Sequence, residues 1–462
     1  MEQHKMRRDL TSRQISFMAL GMAIGVGLFL GSASAIRAAG PSALLAYAVG
    51  GAIIFLIMRA LGEMAVHRPV AGSFGSYAFE YLGPFAGYLV GWNYWILMVG
   101  VGVAETTAVG IYMRFWYPEI PQWIWVFSSI IFIFGLNLLN VKAYGEFEFW
   151  LALIKVATIL LMIAGGSLIV FTGLGNQGVP VGLSNLWRHG GFFPNGAIGL
   201  VSALPIVAYS FAGVEMIGLT AGEAREPEKV IPRAINSVLW RILIFYVGAL
   251  FIIMALYPWN ELGTQGSPFV TTFQALGVRQ AAGIINFVVV SAALSSFNCV
   301  VFSGSRVLTS LSENKLAPSA FTVLSRSGAP SRSVFFTIVC MAFGVLLNYI
   351  VPDKVFGWLM SMLSFLVVAT WAMIVLTHMK FRQRLIAAGV TTSFRMPLAP
   401  YTSWACLVFV AFVFIMLGLD ESTRGSVYVG VAWVLLLTII YRLSGGLRTA
   451  ARLSRVAVGV ES

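Results

Sequence analysis

Charge is what this chain has least of: only 10% of its 462 residues are Asp, Glu, Lys or Arg, against about a quarter in a soluble globular domain. A surface that poor in charge cannot face water, which excludes a soluble domain of this length. Cysteine is nearly absent as well. Cys299, Cys340 and Cys406 stand singly and far apart, so neither a disulfide framework nor a thiolate metal site is expected. There are four histidines (His4, His67, His189 and His378), no HExxH helix and no G-x-S-x-G turn, which leaves hydrolytic chemistry without its parts. No P-loop is present, so nucleotide-driven work would need a partner chain. The chain is therefore expected not to be an enzyme, and to need neither metal nor organic cofactor.

What is present is apolar: 58% of residues are hydrophobic and the mean hydropathy is +0.85. Runs of about 20 apolar residues, enough to cross a bilayer, recur along the whole sequence. They predict an all-α membrane protein with twelve transmembrane helices, at 14–36, 42–66, 84–116, 121–141, 148–172, 197–219, 238–257, 281–311, 332–350, 355–378, 401–418 and 425–443. Residues 1–13 and 444–462 are left as short tails. Lys5, Arg7 and Arg8, the following apolar run and Ala33-Ser34-Ala35 imitate a cleaved secretory signal. The run is long for such a signal, so it is read as a retained first span.

The net charge of +12 is a topology signal rather than a nucleic-acid signal. With the N-terminus inside, 23 of the 30 Lys and Arg residues fall in inner segments, six are spread one apiece over outer loops, and Lys155 lies within a span. This positive-inside bias predicts cytoplasmic termini and an even span count. Trp116, Tyr117, Trp123 and Trp125 lie where an outer aromatic belt is expected.

Two spans differ from the rest. The first contains Gly21-Met22-Ala23-Ile24-Gly25-Val26-Gly27 near its middle, and the sixth contains Tyr209-Ser210-Phe211-Ala212-Gly213-Val214-Glu215. They are five spans apart, and paired Gly-interrupted helices point to an inverted-repeat transporter. The repeats would be 14–172 and 197–378, forming a core over 14–378, with 401–443 appended. Unwound backbone at membrane depth is tolerable only where it lines a polar cavity. A zwitterionic amino acid suits such a cavity, its carboxylate on freed N–H groups and its ammonium on freed carbonyls. The other reading of Gly21/Gly25 and Gly27/Gly31 is a GxxxG packing face.

Three ionisable residues lie at membrane depth, where an unpaired charge costs at least a few kcal/mol: Glu105, Lys155 and Glu215. Lys155 is read as lying about seven residues into its helix. It is either a proton-coupling cation or a lysine snorkelling to the inner face. Glu215 has three candidate roles: pairing with Lys155, receiving the transported proton, or capping freed N–H groups. Glu105, followed by Thr106 and Thr107, faces either the cavity or a neighbouring helix.

Several motifs carry a family resemblance. They are Ala19-Leu20-Gly21-Met22-Ala23-Ile24-Gly25-Val26-Gly27-Leu28-Phe29, Met58-Arg59-Ala60-Leu61-Gly62-Glu63-Met64, Gly91-Trp92-Asn93-Tyr94-Trp95, and Glu146-Phe147-Glu148-Phe149-Trp150 running on to Lys155. The run from Ala221 to Ile235, read as a cytoplasmic loop with no packing reason for its composition, is the most specific. Together they resemble the amino acid transporter branch of the amino acid–polyamine–organocation superfamily. The resemblance implies a LeuT-type 5+5 inverted repeat with broken helices 1 and 6, and proton-driven uptake.

By position it places the substrate carboxylate on the Gly25, Val26 and Gly27 backbone and the ammonium on the carbonyls of Ala23 and of Phe211 or Ala212, beside Gly213. Tyr209 matches the aromatic gate, and Glu105 joins the substrate site. Lys155 stands where sodium-using relatives place their ion. Lys155 and Glu215 are the proton-coupling candidates, so the proton is the coupling ion. Two positions depart from the pattern, Val26 where Thr or Ser is frequent and Cys299 where serine is usual.

The expected function is thus import of an L-amino acid, a neutral one first, across a bacterial inner membrane, with a permease for cationic or aromatic amino acids as an alternative. The partners expected are the substrate and the lipid bilayer, with no nucleic acid and no obligatory protein partner. A channel would ordinarily build its filter by symmetry between subunits. A transporter-like amino acid sensor would need the same pocket and remains the other alternative.

Overall fold

The computed structural model describes residues 24–444, apart from 71, 139–140, 175–176, 222–225, 263–266, 276–278 and 326–329. Among the described residues there is no β-strand. A π-helical turn, Gly27–Gly31, leads into α1 (Ser32–Ala39), and the chain turns through Gly40–Ser42 into α2 (Ala43–His67). α3 (Ser73–Leu82), α4 (Pro84–Met113), α5 (Gln122–Leu138), α6 (Val141–Thr172) and the single turn α7 (Asn185–Arg188) follow. Next come α8 (Gly196–Ser210), α9 (Met216–Thr220), α10 (Pro227–Arg241) and α11 (Ala249–Leu256), the last two joined by the π segment Ile242–Gly248. α12 (Pro268–Ala275), α13 (Arg279–Glu313), α14 (Ser331–Ile350), α15 (Val355–Ala387), α16 (Tyr401–Leu419) and α17 (Arg424–Leu443) complete the chain.

Among the described residues nine helical stretches are long and apolar enough to cross a membrane, Gly27–His67 counting as one of them. Gln122–Asn137 and Gly196–Ser210 are shorter apolar helices. The protein is an all-α integral membrane protein.

α4 and α13 form the interior. They pack along each other, and α15 packs on α4. Small residues permit the close approach: the sites where Gly91, Gly100 and Gly102 lack a Cβ are filled by Leu311, Leu363 and Met341. α16 and α17 lie at the periphery with Trp404, Val408, Ile415, Tyr428 and Leu435 exposed, as lipid-facing side chains should be.

Two expectations are corrected. The run from Ala221 to Ile235 is not all loop: from Pro227 it is helix, with Val230, Ile231, Ala234 and Ile235 buried, and α10 packs on α2. Its composition therefore has a packing cause. Glu226 lies ahead of this helix, 2.9 Å from Lys229, whose ammonium holds the Glu226 carboxyl below its ordinary range. Lys155 is also deeper than seven residues into its helix, because α6 begins at Val141. The apolar run near Lys155 marks only the lipid-embedded part of a longer helix.

The segment after α15 folds back onto α2. Glu63, 2% exposed, accepts hydrogen bonds from Thr392 Oγ1 at 2.7 Å and the Met396 N–H at 2.8 Å, and lies 2.9 Å from His378 Nε2. Arg59 stacks over the Phe394 ring at 3.8 Å and donates to the Arg395 carbonyl and to Asn236 Oδ1. Glu63→Ala strands the buried His378 ring and Met396 amide and the half-buried Thr392 hydroxyl, and loss of one member of such a network costs about 3–5 kcal/mol. Thr392→Ala, which removes one neutral donor, is expected to cost about 1 kcal/mol. Thermal unfolding of the purified variants in detergent checks both values and their order.

Candidate functional site

The second interruption is visible in the backbone, and at the first the described residues begin. Ile24 and Gly25 form a bend before helical structure begins at Val26, and residues 211–215 form a turn between α8 and α9. Gly213 sits there at φ 95°, a conformation that side chains with a Cβ rarely adopt. The two breaks touch. A Cβ on Gly27 would lie 2.6 Å from Ser210 Cα, and Ser210 Oγ donates to the Gly27 carbonyl at 3.0 Å. Tyr246 OH holds the Ser210 carbonyl at 2.6 Å, and Tyr47 OH lies 3.2 Å from Ser210 Oγ.

Groups freed by the interruptions have found partners, as a lipid environment requires. The Ile24 carbonyl accepts from Lys155 Nζ at 3.3 Å, and the Val26 N–H donates to Glu105 Oε1 at 3.4 Å. Gly25 Cα faces Ser296 and Glu105 so closely that a Cβ would lie 2.6 Å from one and 2.8 Å from the other. The Gly213 N–H donates to Glu215 Oε1 at 3.0 Å. Of the three roles open to Glu215, the geometry is that of the cap, steadied by Trp371 Nε1 3.5 Å from its second oxygen.

Lys155 is fully buried, so its stem does not snorkel. Besides Ile24 its ammonium donates to Ser295 Oγ at 2.9 Å, and Ser295 Oγ donates to Glu148 Oε1. Glu105 is buried facing the first break, and its Oε2 accepts no hydrogen bond among the described residues. Phe211 packs edge-on to Tyr47 and Tyr246, with ring centroids 5.9 and 4.9 Å away. The Phe211 carbonyl accepts from the Val214 N–H. Ala212 is half-buried. Tyr209 is buried at the end of α8 and faces the first break near Gly31. Ala23 lies outside the described residues.

The structure thus brings together Gly25, Val26, Gly27, Glu105 and Lys155 on one side and Tyr209 to Glu215 on the other. Tyr47, Tyr246, Ser295, Ser296 and Trp371 carry no expectation from the sequence, and Ser210 and Glu148 stand in its motifs without an assigned role. Only Glu148 left a usable sign, its spacing of seven residues from Lys155. Two helical turns put both on one face.

These features define a class: a polytopic α-helical membrane protein in which a helix interruption is pressed against the glycine-rich start of the first described helix and flanked by buried charges. Residues 14–452 match the family model described as amino acid permease. The chain is 53% identical over 441 residues to the uncharacterized amino acid permease YtnA of Bacillus subtilis strain 168, covering 95% of each chain. It is 45% identical to the probable threonine/serine transporter YbxG of the same organism, over 98% of this chain and 99% of that one. Identity to the aromatic amino acid transport protein AroP of Escherichia coli O6:H1 is 46%, over 95% and 96%. The chain belongs to the amino acid permease family, within the amino acid–polyamine–organocation superfamily. That family consists of transporters rather than enzymes, in line with the missing catalytic motifs.

The contact between the breaks yields a test. Gly27→Ala would press a Cβ against backbone atoms of Ser210, which cannot yield as a flexible side chain can. It is expected to destabilise the protein by about 1–3 kcal/mol. Gly165→Ala, at a helical site with nothing within 4 Å of the added Cβ, is expected to be neutral or slightly stabilising. Thermal midpoints of the two variants in detergent, compared with the parent, decide it.

Proposed function

We propose that the protein imports a neutral L-amino acid across a bacterial inner membrane by proton symport, with both termini cytoplasmic. The observation that carries this reading is the contact between the turn at 211–215 and the glycine-rich start of the first described helix, held by Ser210 Oγ on the Gly27 carbonyl. Twelve spans follow if the turn at Gly40–Ser42 divides Gly27–His67 in two and the short helices Gln122–Asn137 and Gly196–Ser210, the latter with α9, complete two more crossings. Spans one to five and six to ten then form the LeuT-type inverted repeat.

In this reading the substrate carboxylate takes the backbone of Gly25, Val26 and Gly27. The Val26 N–H donates to Glu105 Oε1, so a substrate carboxylate there and Glu105 compete for one donor. Protonation of Glu105 relieves that competition. The ammonium lies between the carbonyls of Ala23 and of Phe211 or Ala212, with Gly213 at the turn and Tyr209 closing over it. The substrates in the names of YbxG and AroP, threonine, serine and aromatic amino acids, carry no charge on their side chains.

The test is uptake of a radiolabelled amino acid panel into proteoliposomes, with and without an inward proton gradient. Accumulation of a neutral amino acid, collapsed by a protonophore and indifferent to sodium, is the expected result. Lys155→Ala is expected to lower that accumulation about ten-fold or more. Binding without accumulation under any gradient overturns transport in favour of an amino acid sensor. Accumulation that requires sodium overturns the proton coupling.

A further inference from the structure

We propose that Glu148 is the proton acceptor for Lys155, and that the Ser295 hydroxyl passes the proton between them. The proposal rests on the proton-symport reading and extends it to a residue that the two interruptions do not explain.

Glu148 and Lys155 lie two turns apart on α6, about 10 Å along the helix axis. Side chains on a helix tilt toward its N-terminus, so the long lysine stem runs back toward Glu148. The remaining gap is closed from α13 by Ser295. Its oxygen accepts from Lys155 Nζ at 2.9 Å, and its own hydrogen is donated to Glu148 Oε1. All three side chains are wholly buried. A hydroxyl is both donor and acceptor, which is what a relay requires, and both hydrogen bonds already point from ammonium to carboxylate.

The step balances within these three groups. Lys155 gives a proton to Ser295 Oγ as Ser295 gives its own to Glu148 Oε1, so the hydroxyl is regenerated. A buried ion pair becomes a buried neutral amine and a neutral acid. No net charge is created at membrane depth, where it is most costly.

The step also acts on the first break. Lys155 holds the Ile24 carbonyl through a charge-assisted bond, and such bonds are roughly twice as strong as neutral ones. Losing the proton weakens that hold at the place where helix 1 is interrupted. The charged and titratable groups facing Lys155 are Glu148 on its own helix, Cys299 on α13 and Glu105 on α4. Asn298 and Cys299 flank Glu148, and Asn298 Oδ1 in turn accepts from Asn137 on α5 at 2.9 Å. In the proposed orientation Glu148 lies on the cytoplasmic side of Lys155, so the relay leads inward.

Glu148→Gln keeps an oxygen for Ser295 to donate to and nearly the same volume, but cannot take up a proton. The experiment compares parent and E148Q in proteoliposomes with labelled threonine or phenylalanine, whichever the parent accumulates. Two readouts are taken: counterflow exchange at equal pH, and net accumulation under an inward proton gradient. For E148Q, exchange is expected within about two-fold of the parent and accumulation lower by about ten-fold or more. Ser295→Ala, which severs the same chain, should give the same split, and E148D should restore part of the accumulation.

Accumulation by E148Q equal to the parent's overturns the relay, and so does an equal fall of exchange and accumulation, which makes Glu148 a structural residue. If E148Q does not yield folded protein, S295A decides alone: coupling lost with exchange kept supports the relay, and coupling kept overturns it. A parent that accumulates substrate regardless of the proton gradient overturns the symport reading itself, an outcome visible before any variant is made.

Discussion

An N–H or C=O that leaves the helical ladder inside a bilayer has no water to turn to, so the rest of the protein must answer it. Around that requirement this structure is arranged. The first interruption leaves the Ile24 carbonyl and the Val26 amide outside the helix, and Lys155 and Glu105 meet them. The second leaves the Gly213 amide, which Glu215 meets. Each buried ionisable residue that looked anomalous in a membrane sequence thus has an unwound peptide group as a partner. The charges are there because the helices are broken, and the breaks are tolerable because the charges are there.

The same logic binds the two halves of the chain. Gly27 and Ser210 approach so closely that no side chain fits between them, and Ser210 shares its hydroxyl proton between the Gly27 and Ile206 carbonyls. Tyr47 and Tyr246 close the arrangement from α2 and the π segment after α10. A small polar residue at 210 is demanded by geometry as well as chemistry, since a larger one would part the helices and an alanine would leave the Gly27 carbonyl without its donor.

Much of this was legible in the sequence because it is encoded locally. Glycine clusters five spans apart, apolar runs of membrane length and isolated charges at mid-span each announce themselves within a dozen residues. Other features were hidden for equally physical reasons. Ser295 is one serine among many until the fold carries it 140 positions onto Lys155. Glu148 had the helical spacing, but spacing shows only that two residues share a face, not that a third bridges them. The helix from Pro227 begins in charged, proline-bearing sequence, where hydropathy registers only the part in lipid. The attachment of the 388–400 segment to Glu63 joins residues some 333 positions apart, beyond any local pattern.

That attachment has a kinematic consequence. α16 leaves from a segment whose backbone is fastened at Met396 to Glu63, near the C-terminal end of α2, so its starting point is fixed by α2 as much as by α15, which precedes it. The peripheral pair α16 and α17 also packs against α15. The pair is therefore a strut between α2 and α15, and any displacement of one relative to the other must be absorbed by residues 388–400. The length and fastening of that short tether bound how far the C-terminal ends of the two helices can separate.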